Sequence, residues 1–238
     1  MSTPMTANSP TAAPAPRRSG RRSRGIVTLL LLVLLAMASA ARADALVYRW
    51  SLRGFAGRVA GLVLPDEGRG ELRTESANGS HRVELEITSP KSKGGEYFLY
   101  GSETRPDGSG VAWSSYRWRG EEKSKRDKVR GEDVVDVAAG IRLIRERQPQ
   151  RSMRMRIWSD GKTYPVLVSR VATENVTVPA GTFRADHYRV RGQRIAGERF
   201  WKGGMDLWLA QDEARTPVRI QVERGFANVR LDLVDDEG

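Results

Sequence analysis

The regular alternation of apolar and polar residues after residue 44 predicts an antiparallel β-sheet. In the segment 81–88, Val83, Leu85 and Ile87 occupy every second position, and charged or polar residues lie between them. A period of two is typical of strands with one buried and one solvated face. The same alternation recurs in the segments 153–157, 205–210, 218–223 and 229–233.

Turn-forming residues separate these segments. Asn78 and Gly79 both tolerate the positive φ of a tight turn, so they predict a hairpin between residues 70–76 and 81–88. Val178-Pro179-Ala180-Gly181 fits a type I turn, because proline presets φ at the second position and glycine favours the fourth. Further turns are predicted at Pro106-Asp107-Gly108 and Ser159-Asp160-Gly161.

One segment departs from this alternation and predicts a helix over residues 133–145. Apolar residues recur there at helical spacing, at Val134, Val137, Ala138, Ile141 and Ile144. Asp133 is expected to be the N-cap, Arg145 lies where it complements the helix dipole, and Pro149 prevents continuation. The helix is expected to be buried, since apolar residues also cover most of its other side, at Val135, Ala139 and Leu143.

These elements predict a mainly β protein. About a dozen strands would form a strongly curved antiparallel sheet, or half-barrel, with the helix buried in its concavity. The 24 glycines suit a sheet that must bend. Residues 121–130 carry charges of both signs and predict a solvated loop or an edge strand leading into the helix.

Residues 1–43 have the composition of an export leader. Basic residues between Arg17 and Arg24 precede an apolar run that extends from Ile26 to Met37. A basic segment, an apolar segment and the A-x-A-like site Ala41-Arg42-Ala43 predict a disordered n-region followed by a cleavable secretory signal peptide. The protein is therefore predicted to be periplasmic.

Cleavage after Ala43 would leave residues 44–238 as a single β-rich domain, and a second small-residue site ends at Ala40. The apolar stretch from Ile26 to Ala41 is shorter than the roughly 20 residues of a membrane-spanning helix. We therefore expect no stable membrane span after cleavage. An uncleaved leader that anchors the protein in the inner membrane is the alternative.

Charge and composition narrow the classes of partner. The 238 residues include 40 Lys and Arg against 29 Asp and Glu, a formal net charge of +11. Residues 1–43 contain six of the basic residues and no acidic one, so 34 basic residues face 29 acidic ones in the predicted domain. That small excess gives no support to a nucleic-acid partner. The lack of cysteine excludes disulfides, thiolate metal sites and a cysteine nucleophile.

The sequence contains no recognisable catalytic, metal or cofactor motif. It has no nucleophile elbow, phosphate-binding loop, zinc-protease motif or dinucleotide fingerprint. His81 and His187 lie on predicted polar strand faces, without a metal-ligand partner at suitable spacing, and are expected to be exposed to solvent. Asp212, Glu213 and Arg215 are expected in a turn, where Arg215 would pair with an acid. We therefore favour a protein without catalytic activity, metal or cofactor.

A curved sheet around a helix could leave an apolar hollow for an acyl chain. Such a chain gains about 0.8 kcal/mol for each methylene group removed from water. Candidate lining residues are Tyr48, Trp50, Val134, Val137, Ile141, Met153, Met155, Leu207 and Leu209. These residues could instead fill a solid core around the helix. Four arginines are predicted on the opposite face of the sheet: Arg154, Arg156, Arg189 and Arg191. They could bind the anionic headgroup of a lipid, or they could serve only to keep that face soluble.

The first hypothesis is therefore a non-catalytic envelope protein that carries or binds a lipid or a lipid-modified partner such as a lipoprotein. The alternative is a periplasmic module that binds an envelope protein or a polysaccharide and has no internal ligand. A contiguous patch of outward aromatic side chains would favour that alternative. The candidates for such a patch are Trp113, Tyr116, Trp118, Trp158 and Trp208.

Three stretches in the second half of the chain form a recognisable pattern. They are Asp133-Val134-Val135, the stretch from Val176 to Phe183, and the stretch from Trp208 to Val218. In this order and spacing they resemble the exported bacterial family catalogued as domain of unknown function 3108, over residues 46–234. The motif positions that carry the resemblance are Asp133, Pro179, Gly181, Phe183, Trp208, Asp212, Arg215 and Pro217.

The resemblance implies an antiparallel, half-barrel-like domain, similar in outline to the periplasmic carriers that shuttle lipoproteins. It does not imply an activity, because a shared fold does not define one. The chain departs from the family pattern at Asp136, where a serine is usual, and at Ala210-Gln211, where a serine–aspartate pair is usual. A polar role of those family positions would not transfer to this chain.

Overall fold

The computed structural model describes residues 42–53, 67–89, 95–118, 120–131, 134–224 and 227–235, so the predicted leader lies almost wholly outside the described residues. The strands before the helix are β1 (Arg42–Arg53), β2 (Glu67–Ala77), β3 (Ser80–Thr88), β4 (Tyr97–Thr104), β5 (Ser109–Trp118), β6 (Glu121–Arg130) and β7 (Val134–Val135). Helix α1 spans Val137–Arg147. The strands after it are β8 (Ser152–Ser159), β9 (Lys162–Val178), β10 (Gly181–Gly192), β11 (Gly204–Ala210), β12 (Pro217–Arg224) and β13 (Ala227–Leu233).

All of these strands belong to one sheet with the order β6-β5-β4-β3-β2-β1-β13-β12-β11-β10-β9-β8-β7. It consists of two antiparallel meanders, β1–β6 and β8–β13, which the pairing of β1 with β13 joins. Among the described strands, only β7 runs parallel to its neighbour, β8. The predicted mainly β fold, a strongly curved antiparallel sheet with one buried helix, is confirmed, and residues 121–130 form an edge strand.

Side-chain contacts connect the two edges of the sheet. Trp158 of β8 donates its Nε1–H to Oδ2 of Asp127 in β6 at 2.8 Å. Ser114 of β5 donates to Oδ1 of Asp160, in the turn after β8, at 3.0 Å. Because Trp158 lies on the opposite side of β8 from the core residue Ile157, β6 packs over the outer side of β8. The sheet is thus nearly closed, like a barrel with overlapping edges.

The predicted turns occur where the sequence places them. Asn78 has a φ of 52° and Gly79 a φ of 75°, which are the two positive angles of a tight hairpin between β2 and β3. Pro179 and Ala180 form the turn between β9 and β10. Gly181 follows with a φ of 128°, which only glycine adopts without strain. The family-like stretch therefore encodes the hairpin geometry directly.

The predicted start of the helix is wrong. Helix α1 begins at Val137, and its N-cap is Asp136 rather than Asp133, which lies outside the described residues. The Asp136 carboxylate accepts hydrogen bonds from the N–H groups of the second and third helical residues at 3.0 and 2.9 Å. Val134 and Val135 pair with β8, and this strand pairing delays the helix. The helix ends at Arg147, two residues later than predicted.

Helix α1 lies inside the curved sheet, as the sequence predicts. Seven of its eleven residues are buried, and six of them form one core cluster with residues from both meanders. The helix is close to β3 and β4 on one side and to β7 and β8 on the other. This position fills the concavity next to the overlapping edges.

The two ends of the sheet differ. At one end, called the helix end, Arg145 of α1 donates to the carbonyl oxygen of Ala214 in the β11–β12 turn. The same guanidinium pairs with Asp44 near the start of β1 at 3.2 Å. The opposite end, called the far end, holds the β8–β9 turn and residues 193–203, which connect β10 to β11.

Candidate functional site

Most of the predicted lining residues lie in the packed core. Tyr48, Trp50, Val137, Ile141, Met155, Leu207 and Leu209 are at most 8% exposed and belong to the core cluster. Met153 packs against that cluster in a half-buried position, and Val134 is half-buried in β7 rather than on the helix. Together they fill the space between helix and sheet. A ligand-lining role for them stays a prediction.

Two of these aromatic side chains are held by hydrogen bonds. The Tyr48 hydroxyl donates to the carbonyl oxygen of Pro217, and the Trp50 indole donates to that of Thr88, both at 2.7 Å. Burial raises the pKa of Tyr48 above its usual range. The Trp50 ring needs Gly68 beside it, because a Cβ there would lie 2.4 Å from Nε1. Both rings are therefore fixed parts of the core.

The inner face becomes more exposed from the helix end toward the far end. On β12, Val218 and Ile220 are fully buried, whereas the next inward residue, Val222, is partly exposed. Strand register places Val222 opposite Val229 and Val229 opposite Leu52, so these side chains share one surface. We call the partly exposed inward residues the far-end wall, which consists of Leu52, Ile87, Phe98, Val222 and Val229.

Asp136 is a carboxyl group with no exposure to solvent. Besides capping the helix, its Oδ1 accepts a hydrogen bond from the Ser102 hydroxyl of β4 at 2.7 Å. Burial raises the pKa of Asp136 above its usual range, and the hydrogen bonds from Ser102 and the helix backbone oppose this only in part. The departure from the family pattern at this position thus supplies a cap that ties the helix to β4.

A second buried carboxylate, Asp206 of β11, organises the outer face. It accepts hydrogen bonds from His187 Nε2 at 2.8 Å, Arg189 Nε at 3.1 Å and Arg191 Nη2 at 2.8 Å. Burial alone would raise the pKa of Asp206, but these three donors outweigh it and hold the pKa well below its usual range. Arg191 also pairs with Glu223 of β12 at 2.9 Å. The network therefore joins β10, β11 and β12.

The predicted exposure of both histidines is wrong. His187 faces outward but is only 8% exposed, because Trp208 lies opposite it on β11 and stacks on its ring at 4.2 Å. His81 is half-buried, and its Nδ1 lies 2.9 Å from the Ser76 hydroxyl oxygen. Burial lowers the pKa of His81, and the Arg142 charge lowers it further. Trp208 on the paired strand therefore covers His187. His81 has the inward phase of Val83 and Leu85, and it lies near Arg142 of helix α1.

The outer arginines are mostly paired with acids. Arg156 binds Glu198 at 2.6 Å, and Arg189 and Arg191 bind Asp206. A headgroup would have to displace these carboxylates. Their positions are thus better explained by ion pairing across the sheet than by anion binding.

The turn between β11 and β12 contains part of the family-like motif. Asp212 accepts a hydrogen bond from the Thr216 N–H at 2.9 Å. Arg215 lies 3.6 Å from Asp186 of β10, so the acid that it meets is neither Asp212 nor Glu213. Burial raises the pKa of Asp186, but hydrogen bonds from its neighbours, led by the Thr173 hydroxyl, lower it below its usual range. The arrangement therefore stabilises the turn between β11 and β12.

The outward aromatic residues are scattered. Trp113 lies on the outer face of β5 between Arg82 and Arg126, whereas Tyr116 lies on the inner face and stacks with Phe98 at 5.9 Å. Trp158 is buried under β6, and Trp208 stacks on His187. The Trp118 side chain lies outside the described residues. Within the described chain, these residues do not form one contiguous patch.

Three further features of the described residues concern a metal site, a membrane-spanning helix and a ligand cleft. No group of three or more His, Asp or Glu side chains there could hold a metal ion. None of the helices in those ranges has the length and hydropathy needed to cross a bilayer. A cleft of about 120 Å³ where the edges overlap is lined by Ser114, Tyr116, Lys123, Ser124, Lys125 and Asp160.

Residues 193–203 at the far end were not among the candidate residues predicted from the sequence. Ile195 is 43% exposed and Phe200 is 38% exposed, and basic residues lie between and beside them. The interleaving of Arg194, Ile195, Arg199, Phe200 and Lys202 is visible in the sequence. It has neither period two nor helical spacing, so periodicity did not mark it.

The family model described as Protein of unknown function (DUF3108) matches residues 75–234. The chain belongs to this family. The match covers the hairpin at Pro179, the helix and the turn at Asp212, which carried the resemblance seen in the sequence. No curated protein matches the chain.

Two solved structures align with the chain at low sequence identity. A β-barrel-like protein of the domain of unknown function DUF1849 from Brucella abortus aligns with a TM-score of 0.51 and 10% identity, over 80% of this chain and 94% of its own. The lipoprotein LppX from Mycobacterium tuberculosis aligns over 91% of this chain and 98% of its own, at 11% identity and a TM-score of 0.22. The first similarity supports the barrel-like fold, and the second score is too low to show a shared one.

Proposed function

We propose that this protein of the DUF3108 family is an exported, non-catalytic binder of a lipid or a lipid-modified partner, with the acyl chain packed against the far-end wall. The supporting observation is the change of exposure along the inner face. Inward apolar side chains are buried next to helix α1, and those of β1, β3, β12 and β13 become partly exposed toward the far end.

The energetics favour an acyl chain over a polar ligand at this wall. Its five side chains are apolar, and each methylene group that covers them gains about 0.8 kcal/mol. Six methylene groups would therefore contribute about 5 kcal/mol before the cost of ordering the chain. At the helix end, the buried core already occupies the interior. The ligand chain would therefore enter from the far end.

The alternative, an aromatic surface that binds a protein or a polysaccharide, has less support. Trp113 of β5 lies between two arginine side chains, and Trp208 of β11 stacks on the ring of His187. These strands lie far apart in the strand order. A shared binding patch would need the aromatic residues on neighbouring strands.

A polar substitution in the far-end wall is expected to weaken lipid binding. Native mass spectrometry of protein purified from an envelope fraction should show a bound lipid, and a dansyl-labelled fatty acid should bind the delipidated protein. Ile87→Asn and Val229→Asn should each weaken that binding about tenfold, because a polar amide would face the acyl chain. Val171→Asn is the matched control, since Val171 is 46% exposed on β9 and lies outside the core cluster.

Circular dichroism and thermal unfolding would show that the variants still fold. Absence of both a co-purifying lipid and fatty-acid binding would mean that the far-end wall is only the rim of the barrel. Equal loss in the Val171→Asn control would mean that the probe binds elsewhere.

Export is part of the same proposal, and the start of β1 bears on the cleavage site. β1 begins at Arg42, so cleavage after Ala40 would keep the whole strand, whereas cleavage after Ala43 would remove its first two residues. In both cases Asp44 would keep its ion pair with Arg145.

The N-terminus of the mature protein is expected at Ala41 or at Asp44. N-terminal sequencing of the protein recovered from a periplasmic fraction would measure it. Substituting both small-residue sites should leave an uncleaved, membrane-associated precursor, because signal peptidase needs small residues before the cut. An unprocessed chain in the cytoplasmic fraction would contradict export.

A further inference from the structure

Residues 193–203 form a fixed loop at the far end. The Gln193 N–H donates to the carbonyl oxygen of Pro165 at 2.9 Å, and Glu198 binds Arg156 at 2.6 Å. The Trp201 side chain packs against the core cluster. The backbone of Trp201 passes close to Gly192, and a Cβ at position 192 would lie 2.3 Å from the Trp201 carbonyl oxygen. These contacts hold the loop to β8, β9 and β10.

The loop exposes two large apolar side chains to solvent. Ile195 and Phe200 are two of the three large apolar side chains that are exposed in the described part of the chain, and they lie five residues apart. The third, Val171, lies on β9. Because exposing apolar surface costs free energy, a fixed pair on one loop indicates a surface that contacts an apolar medium.

The charged residues of the loop indicate which apolar medium this surface contacts. Arg194, Arg199 and Lys202 accompany the two apolar residues, and all three are exposed. The acid of the loop, Glu198, is already paired with Arg156. Arg194 lies over the Phe200 ring at 4.5 Å, which brings a cation to the level of an apolar group. Apolar side chains among cations complement an anionic lipid bilayer, whose headgroups lie just above its acyl region.

We propose that the loop 193–203 docks the far end of the protein on an anionic phospholipid surface. Ile195 and Phe200 enter the boundary between headgroups and acyl chains, and Arg194, Arg199 and Lys202 contact the phosphates. Each cation close to such a surface contributes about 1 kcal/mol, or roughly a fivefold gain in affinity. This docking does not depend on a lipid inside the barrel, although it would place the far-end wall next to the bilayer.

Sedimentation with vesicles tests the proposal on the mature protein. Vesicles of phosphatidylglycerol and phosphatidylcholine should bind it at least tenfold more tightly than vesicles of phosphatidylcholine alone. The triple variant Arg194→Gln, Arg199→Gln, Lys202→Gln should lose at least tenfold in affinity. The double variant Ile195→Ser, Phe200→Ser should lose about tenfold.

Matched controls remove the same charge or a similar apolar surface elsewhere. Lys123→Gln, Lys125→Gln, Lys128→Gln removes three exposed cations from β6, and Val171→Ser removes the third exposed apolar side chain. Both controls should stay within about twofold of the unmodified protein.

Equal binding to both kinds of vesicle would overturn the proposal, and so would an equal loss in the β6 control. Full affinity of the Ile195→Ser, Phe200→Ser variant would also overturn it. Failure of vesicle binding while the dansyl-labelled fatty acid still binds would reject the docking surface and leave the internal site in place.

Discussion

Replacing Asp136 by alanine is expected to lower the free energy of unfolding by about 3 kcal/mol. The substitution removes the helix N-cap and leaves the Ser102 hydroxyl and two backbone N–H groups without acceptors in the interior. A lost cap costs about 1 kcal/mol, and unsatisfied buried donors add the rest, less the relief from removing a buried acid. Urea unfolding at neutral pH measures the loss.

Asp136→Ser is the matched control, because a serine hydroxyl can still cap the helix. It is expected to cost at least 2 kcal/mol less than the alanine variant. An equal loss in both variants would show that a serine hydroxyl does not replace the carboxyl group as a cap. A loss of less than about 1 kcal/mol in the alanine variant would show that neither the cap nor its contact with Ser102 stabilises the fold.

The raised pKa of Asp136 predicts how the stability difference between the unmodified protein and Asp136→Ser depends on pH. Burial raises the pKa of Asp136 above its value in the unfolded chain, which is near 3.9. The contribution of this group to stability is therefore complete below about pH 4 and is lost as the pH rises through the folded-state pKa. The stability of the unmodified protein relative to Asp136→Ser should fall as the pH rises from about 4. Parallel pH profiles would contradict the buried carboxyl.

Asp206→Asn is expected to lower the free energy of unfolding by about 2 to 3 kcal/mol. The residue is 4% exposed, and its carboxylate accepts hydrogen bonds from His187, Arg189 and Arg191. The amide N–H₂ of asparagine cannot accept a hydrogen bond, so at least one of the three donors would lose its acceptor. The substitution would also remove the negative charge that both guanidinium groups bind. The two arginines are partly exposed and can turn toward water, which limits the loss.

The opposite pH dependence is expected here. Because its donors hold the pKa of Asp206 below the unfolded value, its stabilisation is present above about pH 4 and is lost as the pH falls through the folded-state pKa. The gap between the unmodified protein and Asp206→Asn should therefore narrow below about pH 4. Glu198→Gln, at the exposed pair with Arg156, is the control and should cost less than about 1 kcal/mol. If Glu198→Gln lowered the free energy of unfolding as much as Asp206→Asn, the burial of Asp206 would not explain the size of its effect.

The fold was predictable because its signals are local. Asn78-Gly79 and Asp160-Gly161 encode tight turns in two adjacent residues, and alternation in β3 assigns Val83 and Leu85 to the inner face without knowledge of a partner. The helix was predictable for the same reason. Its start was not, because Val134 and Val135 suit a strand as well as a helix and β8 decides between the two.

The candidate site was less predictable because exposure depends on position along the barrel. Alternation assigns Ile220 and Val222 to the same face, yet only the second is partly exposed at the far end. Similarly, His187 has the outward phase of an exposed residue, but Trp208 on the paired strand covers it. Neither fact can be obtained from one strand alone.

By itself, the sequence determined the strands, the turns, the buried helix and membership of the family, since each depends on residues close together in the chain. Tertiary structure alone decided that β13 pairs with β1, that β6 packs over β8, and that Asp136 meets Ser102. It also decided which inward side chains stay partly exposed and that Ile195 and Phe200 face solvent beside three cations. These features arise from contacts between residues distant in sequence, which no local pattern specifies.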